Sequence, residues 1–455
     1  MYTAQWYLAL EVQIVITIIA LVMGRIAFKI SWQTLLLASL LCFSVPVVTP
    51  PGLLTYLLPA DLALPLLLII ALTAPKTKDR RIVWFFAITL LLWPVLGTLF
   101  HAVITAFSYG WVTFLYRRLL LVCLFYLGAT GKFTKTKGID IIQAVMIIWT
   151  FMTIVGVLQV FGFLDVDFSV RTADWANRRS ILETVSAAQR GFLGLDRGAV
   201  GTYGSGMIAI ATALFLFEPK IRKPELILYL SCIIFSGLVI FLIGSRTGIL
   251  ATSGALAYLA FASLKSLKRV RKARFVSAAV LLGPIVIYKS LQFLALASGR
   301  ISDSYRTAAS LEHRLSRQLS TLEYAVSNFR GAIFGFGGAA LGYTQAVFGL
   351  GKPHNEYLQH LQDSGWIGLI TYMLLMVLIF KRFRPRVGPD LAVYGVVGRA
   401  ALFSGMICGL ATSFFTFTSE DKFIYGMVIS FVFGRLCFEM QKCRQPHQID
   451  PSLAA

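Results

Sequence analysis

The sequence predicts an all-α, polytopic integral membrane protein, and two observations lead to this fold class. Of its 455 residues, 57% are hydrophobic and 14% are charged, whereas a soluble protein carries about 25% charged residues. Apolar runs of roughly 17 to 25 residues, long enough to cross a bilayer as helices, recur along the chain. The N-terminus lacks the basic region and cleavage site of a secretory signal, so we expect its first apolar run to be retained.

These apolar runs define about 12 to 13 candidate transmembrane helices. The first three are the least regular, because Pro46, Pro50 and Pro51 interrupt them. The candidate spans cover approximately residues 8–23, 33–49, 53–73, 83–104, 109–129, 139–163, 200–217, 226–243, 247–264, 276–295, 365–380, 394–416 and 422–438.

The charges in the connectors predict the orientation of the chain. Short loops rich in Lys and Arg remain in the cytoplasm, so the other loops are expected on the outer side. The net charge of +21 has the same explanation, because basic residues lie against anionic lipid, and a nucleic-acid partner is not expected. The basic residues gather in every second connector, at about 76–81, 132–137, 220–223, 265–274 and 381–386.

The spans and loops divide the chain into five parts. Two of the outer loops, at 164–199 and 296–364, are long, and loops of that length are usually functional or disordered. Helical periodicity from Ser310 to about Phe329 predicts that the second one forms a partly helical outer domain. The parts are N-terminal transmembrane helices at 1–163, a first long loop at 164–199, transmembrane helices at 200–295, a large loop at 296–364, and C-terminal transmembrane helices with a cytoplasmic tail at 365–455.

Motifs for metal and nucleotide chemistry are missing from the sequence. It contains no His-Glu-x-x-His, no metal-spaced cysteine pair and no Gly-x-x-x-x-Gly-Lys phosphate loop. We therefore expect no metal and no cofactor, and chemistry on a soluble nucleotide sugar is disfavoured. The cysteines lie within or beside apolar runs, which predicts small packing residues without disulfides. They are Cys42, Cys123, Cys232, Cys408, Cys437 and Cys443.

Arginines at the outer boundary are candidates for binding phosphate. Arg246 stands between Gly244 and Gly248, with apolar helices on both sides. Arg314 and Arg317 are three residues apart in a predicted helix and therefore share a face. A planar guanidinium bonds two phosphate oxygens at once. The alternatives are a snorkelling anchor for Arg246 and a solvated helix face for the other two.

Two arginines are placed inside a membrane span. Arg117 and Arg118 follow Tyr109, the start of the span, by about two helical turns, which is a depth of about 12 Å. Intramembrane charges usually face a partner or a cavity. Two interpretations stay open: structural pairing, with Asp61 as the candidate partner, or contact with a lipid phosphate.

His354 is the candidate for proton transfer. It precedes a predicted helix at the mouth of a membrane span, where neither packing nor solubility requires a histidine. Histidine titrates near neutral pH and can accept a proton from a hydroxyl group. An ordinary interface residue is the alternative, and His360 has no comparable support from the sequence.

These motifs together resemble those of the O-antigen ligase and O-antigen polymerase family of bacterial envelopes. The similarity is best between about residues 200 and 380. The motifs that carry it are Gly244-Ser-Arg-Thr-Gly248, the arginine-bearing helix before Gly335-Phe-Gly337, and His354-Asn355 followed by Gly365 and Gly368.

The resemblance implies a multi-pass glycosyltransferase of the bacterial inner membrane with an active site that faces the periplasm. Such enzymes move a glycan from undecaprenyl diphosphate to a sugar hydroxyl, in lipopolysaccharide or exopolysaccharide biosynthesis and without metal. Ligases use lipid A-core as the acceptor, and polymerases use another lipid-linked repeat unit. The expected partners are these lipid-linked substrates and membrane lipids.

The resemblance also implies roles for individual residues. His354 corresponds to the base, and Arg246 corresponds to an arginine that binds diphosphate. The spacing to the Gly-x-Gly turn favours Arg317 as the second arginine. Arg314 stays as the alternative, because Thr321 stands where the family commonly has an aromatic residue. The candidates for further substrate binding are Asn355, Tyr357 and Arg117.

Other functions and other acceptors stay open. A transporter or flippase for lipid-linked sugars also needs arginines in a cavity, and a non-catalytic assembly partner would tolerate loss of His354. The first long loop favours a polymerase over a ligase, because it mixes basic and acidic residues that could hold a second lipid diphosphate. A solvated surface is the alternative for that loop. The residues are Arg171, Arg178, Arg179, Arg190 and Arg197 with Asp165, Asp167 and Asp174.

Overall fold

The chain is mostly helical in the part that the computed structural model describes. That part comprises residues 4–45, 58–74, 80–100, 109–131, 138–161, 163–164, 193, 195, 197–264, 304–327, 329–335, 337, 355–384, 389–411 and 420–442, and it contains no β-strand. The helices are α1 Ala4–Ile26, α2 Trp32–Cys42, α3 Pro59–Leu72, α4 Arg80–Ala87, α5 Trp93–Phe100, α6 Tyr109–Thr130, α7 Gly138–Val160, α8 Arg197–Phe217, α9 Lys223–Leu242, α10 Arg246–Leu264, α11 Ser304–Ser327, α12 Phe329–Phe334, α13 Glu356–Arg382, α14 Pro389–Ala411 and α15 Glu420–Lys442.

The predicted class of all-α, polytopic membrane protein is confirmed. Within the described ranges, eight helices are long and apolar enough to cross a membrane, and α2 and α3 are shorter apolar helices. The eight are α1, the continuous helix from α4 to α5, α7, α8, α9, α13, α14 and α15. The predicted spans at 109–129 and 247–264 correspond to α6 and α10, and the one at 276–295 lies outside the described residues.

Some span ends differ from the prediction. The second span was expected to reach residue 49, but α2 ends at Cys42. Pro46 follows four residues later, and a helix usually ends at or before the residue that precedes a proline, because the proline ring disfavours helical geometry there. At the other end of the chain, α13 begins nine residues before the predicted span at 365–380, and a kink at Gly365 separates the two parts.

Helix α8 lies at the centre of the bundle. The apolar stretch that makes α8 long enough to cross a membrane is entirely buried, and the helix packs against α9, α10 and α14. The ring of Tyr203 on α8 stacks on Trp149 with 4.1 Å between centroids and lies 5.2 Å from the ring of Tyr425. Small residues let α8 approach its neighbours closely. A Cβ added to Gly248 of α10, for example, would lie 2.8 Å from the Cα of Gly201.

Helix α6 packs closely against α15 through a pair of glycines. A Cβ on Gly128 would lie 2.7 Å from the backbone nitrogen of Arg435, and one on Gly434 would contact the carbonyl of Phe125. This contact sets the distance between the two helices, and it thereby positions the arginines of α6 inside the bundle.

Apolar side chains face outward on several helices. Leu66 and Ile69 of α3 are each 60% exposed, and Ile370 of α13 is 55% exposed. Surfaces of this kind are expected where lipid tails are the solvent. The five described cysteines are all buried, as predicted for packing residues, and Cys443 lies outside the described residues.

Candidate functional site

Helix α13 consists of two halves that meet at Gly365. This glycine has φ 64° and ψ −168°, a backbone conformation with positive φ that residues with a Cβ atom disfavour. The first half, residues 356–364, is largely buried, while the second half exposes Trp366 and Ile370 on its outer face. His354 lies outside the described residues, which resume at Asn355.

Asn355 caps the first half of α13 and fastens it to α14. Its side-chain oxygen accepts hydrogen bonds from the backbone N–H of Tyr357 at 3.0 Å and of Leu358 at 3.2 Å. Its amide nitrogen donates to the carbonyl of Leu410 at 3.0 Å. The Tyr357 hydroxyl donates to the carbonyl of Met406 at 2.9 Å. Asn355 and Tyr357, two of the three candidate substrate-binding residues, therefore anchor the start of α13, and position 354 directly precedes this anchor.

A buried carboxylate and a buried imidazole follow in the same half-helix. Glu356 is fully buried and accepts a hydrogen bond of 2.8 Å from the hydroxyl of Tyr372. The His360 ring stacks on the Tyr372 ring at 4.0 Å between centroids with 25° between the planes. His360, which the sequence did not support as a functional residue, is thus part of the buried polar cluster next to the His354 motif.

Arg118 forms a buried ion pair with Asp363. Their nearest atoms, Nη2 and Oδ2, are 3.0 Å apart, with relative side-chain exposures of 0% and 3%. The other Asp363 oxygen accepts a hydrogen bond of 2.8 Å from Gln359. Arg118 also donates to the carbonyl of Leu90 at 3.2 Å, and its guanidinium lies 3.9 Å from the centre of the Phe114 ring.

Asp363 was not among the predicted site residues, although the sequence contains a signal for it. Glu356, Gln359 and Asp363 follow each other at helical spacing, so they share one face of a helix that enters the membrane. Arg118, the ion-pair partner of Asp363, contacts a π-helical turn, Ile88–Leu92, between α4 and α5. Single π-helical turns within α-helices are frequent at functional sites.

Arg117 forms a second buried ion pair. Its Nη2 atom lies 3.1 Å from Oδ2 of Asp61, both side chains are 1% exposed, and its guanidinium lies 5.1 Å from the centre of the Phe423 ring. Tyr116 also donates a hydrogen bond to the carbonyl of Asp61. Of the two interpretations of Arg117 left open by the sequence, the structure therefore shows the ion pair with Asp61.

Glycines bring two motifs of the sequence into backbone contact. Gly335 and Gly337 have φ values of 66° and 73°. The N–H of Gly337 donates to the carbonyl of Asp363 at 2.7 Å. A Cβ on Gly365 would lie 2.6 Å from the carbonyl oxygen of Ala332, and one on Gly97 would lie 2.9 Å from the nitrogen of Gly337. The Gly-x-Gly turn, the α13 kink and α5 thus meet at one junction, which only glycines permit.

Arg246 is the first residue of α10. The preceding Gly244 has φ 66° and ends the segment after α9, and Ser245 is buried with its hydroxyl 3.4 Å from the N–H of Gly248. Arg246 itself is exposed. It therefore stands at a helix N-terminus, where free N–H groups and the helix dipole favour anions. Helix α10 packs against α14, which in turn packs against α13.

Helix α11 carries the other two candidate arginines. It packs against both α12 and α13, and Arg317 is half-buried on it. Thr321 is 3% exposed and its hydroxyl donates to the carbonyl of Arg317 at 2.9 Å. Arg314 lies one turn earlier in this helix, and its side chain is outside the described part of the chain.

A comparison with known families assigns this region of the chain. Residues 230–373 match the family model described as O-antigen ligase. The matched segment contains the turn before α10, all of α11, the Gly335–Gly337 turn and the first half of α13. No curated protein matches the chain. The chain is therefore a multi-pass membrane protein, and its residues 230–373, which contain most of the candidate site, are similar to the O-antigen ligase family.

Proposed function

We propose that this protein is a glycosyltransferase that moves a glycan from undecaprenyl diphosphate to a sugar hydroxyl. The observation that carries this proposal is the family match over residues 230–373, because that segment contains His354, Arg246 and Arg317 together. The reaction belongs to O-antigen or exopolysaccharide biosynthesis at the periplasmic face of the bacterial inner membrane. The regular alternation of basic connectors supports this orientation.

His354 acts as the base in the proposed reaction. Its ring nitrogen takes the proton of the acceptor hydroxyl while the hydroxyl oxygen bonds to the anomeric carbon of the donor sugar. The bond between that carbon and the diphosphate oxygen breaks, and its electron pair stays on the diphosphate. The hydrogen bonds of Asn355 and Tyr357 to α14 support this role, because they hold the backbone directly after His354 in place.

Arg246 and Arg317 stabilise the departing diphosphate. Negative charge grows on this group in the transition state, and removal of one preorganised donor commonly lowers the rate by about 10²–10³. The position of Arg246 supports its role, since it is exposed at the N-terminus of α10. Arg317 is favoured over Arg314 by its spacing to the Gly335–Gly337 turn. The donor already carries its diphosphate leaving group, so the proposed reaction uses neither a metal nor a nucleotide cofactor.

A lipid-linked repeat unit is the proposed acceptor, which makes the protein a polymerase. The mixed charges of the loop at 164–199 support a second lipid-linked substrate, and most of that loop lies outside the described residues. Transfer to lipid A-core would make the protein a ligase instead.

Reconstitution with the lipid-linked donor tests this proposal. The full-length protein is placed in vesicles with an undecaprenyl-diphosphate-linked glycan, purified from cells in which the gene for this protein is deleted. The reaction is run once with lipid A-core and once without it. His354→Ala is the test variant. His447→Ala, in the predicted cytoplasmic tail, is the matched control.

Each outcome selects one function. A glycan ladder without lipid A-core that His354→Ala abolishes supports a polymerase, and product only on lipid A-core supports a ligase. Movement of the glycan across the vesicle membrane without any product would replace the proposal by a flippase. Undiminished product from His354→Ala would remove the base role.

A further inference from the structure

The carboxylate of Asp363 joins several separate elements of the fold. Its side chain contacts Arg118 of α6 at 3.0 Å and Gln359 of its own half-helix at 2.8 Å. Its carbonyl accepts the N–H of Gly337 at 2.7 Å. Through Arg118 it is also connected to the carbonyl of Leu90 in the π-helical turn. The family domain is thereby joined to α6 and to the π-helical turn, which both lie outside residues 230–373.

Stability alone is a weak reason for this ion pair. Burial removes both charges from water, and apolar side chains of similar volume often stabilise a protein as well or better. The contacts of Arg118 are directional, because its planar guanidinium bonds Asp363 and Leu90 while it lies against the Phe114 ring. The pair therefore specifies one arrangement of α6 and α13.

The pair is placed at the end of the half-helix that follows His354. Residues 356–364 extend over about 13 Å, at about 1.5 Å per residue. Asn355 fixes the first end of this segment to Leu410, and Asp363 fixes the second end to Arg118 and Gly337. The first half of α13 is therefore held at both ends, and its start at Asn355 is fixed relative to α14.

We propose that Arg118 and Asp363 are positioning residues that hold the His354 segment in its productive place. Neither side chain touches the substrate in this role. The inference rests on the proposed function, since it takes His354 to be the base. A catalytic group that is displaced by about 1 Å can lower the rate about 10²-fold. Loss of the pair should therefore reduce kcat, while the KM for the donor stays near that of the wild type.

An apolar replacement of the whole pair separates positioning from stability. The test variant is Arg118→Met with Asp363→Leu, measured as the full-length protein in vesicles with the same lipid-linked donor. The matched control is Arg435→Met with Glu439→Leu, which replaces another buried ion pair, 2.7 Å apart, within α15. Tm is recorded for every variant in detergent.

We expect the Arg118 and Asp363 double variant to keep a Tm near that of the wild type and to lose about 10²-fold in kcat at unchanged KM. The control should keep its kcat. Wild-type kcat in the double variant would overturn the inference, and so would a rise in KM without a fall in kcat.

A second variant covers the case in which the double variant does not fold. Asp363→Asn keeps the volume of the side chain and removes its charge, and it should also lower kcat at unchanged KM. Wild-type kcat in Asp363→Asn would overturn the inference. His354→Ala is run beside these variants to test the proposed function itself. If the wild type forms a product that depends on His354 while Asp363→Asn is fully active, only the positioning role fails. If no product depends on His354, the proposed function fails and this inference falls with it.

Discussion

The hydroxyl of Tyr372 donates a hydrogen bond of 2.8 Å to the carboxylate of Glu356, sixteen residues earlier in the same helix and across its kink. Both side chains are buried, and the Tyr372 ring also stacks on His360. A straight helix would separate positions 356 and 372 by about 24 Å, at about 1.5 Å per residue. The contact therefore depends on the reversal that Gly365 introduces, and it connects the two halves of α13.

Tyr372→Phe should destabilise the protein. It removes a hydrogen-bond donor from the buried carboxylate of Glu356 and keeps the ring that stacks on His360, so we expect a loss of about 1–3 kcal/mol in the free energy of unfolding. Thermal unfolding of the purified protein in detergent measures this loss as a lower Tm. Tyr126→Phe, on the partly exposed side of α6, is the control. An unchanged Tm for Tyr372→Phe would show that the hydrogen bond does not stabilise the fold.

Gly365→Ala should be more damaging than most glycine substitutions. The left-handed backbone at φ 64° disfavours alanine, and the new Cβ would lie 2.6 Å from the carbonyl oxygen of Ala332. The backbone strain alone costs about 1–3 kcal/mol, and the close contact adds to it. We expect lower yield and lower Tm. Gly409→Ala is the control, because its nearest neighbours would lie at 3.5 Å and alanine suits a helix. Equal Tm values for the two variants would contradict the prediction.

Asn355→Ala should weaken the start of α13. It removes a helix cap that accepts two backbone N–H groups, at a cost of about 0.5–2 kcal/mol, together with the hydrogen bond to Leu410. Asn355→Ser keeps a capping oxygen but cannot donate the same amide hydrogen bond, so we expect an intermediate Tm. Unfolding curves and kcat are measured for both. A higher KM at unchanged Tm would instead indicate that Asn355 contacts the substrate.

Arg246→Lys should impair transfer even though it keeps the positive charge. An ammonium group cannot bond two phosphate oxygens in the planar geometry of a guanidinium, so we expect a fall in kcat/KM of roughly 10²-fold or more. Rates with the lipid-linked donor are compared with those of Arg25→Lys, a substitution at the end of α1. Wild-type kcat/KM for Arg246→Lys would exclude bidentate binding of the diphosphate. The same measurement on Arg314→Lys and Arg317→Lys shows which of the two acts with Arg246.

The fold class, the similarity of one region to a known family and one of the buried ion pairs could be predicted from the sequence. Scarce charge and long apolar runs predict membrane helices, because a bilayer offers no water to the backbone and a helix satisfies its own polar groups. The depth of Arg117 predicted a partner, and the structure places Asp61 beside it at 3.1 Å. These predictions needed only the order of residues along the chain, because each depends on a local segment or on the general cost of burying a charge.

The arrangement around Asp363 was decided only by the tertiary structure. Arg118 and Asp363 are 245 residues apart in the chain, and no local pattern indicates that α6 lies against α13. In the sequence, Gly337 and Gly365 belong to separate motifs and His360 has no predicted role, although all three lie close to Asp363 or Tyr372 in the structure. Helical spacing determines which residues share a face. Which helix lies opposite that face is determined by the packing of the whole bundle. A buried charge such as Arg118 needs a partner, and here that partner comes from a distant segment of the chain.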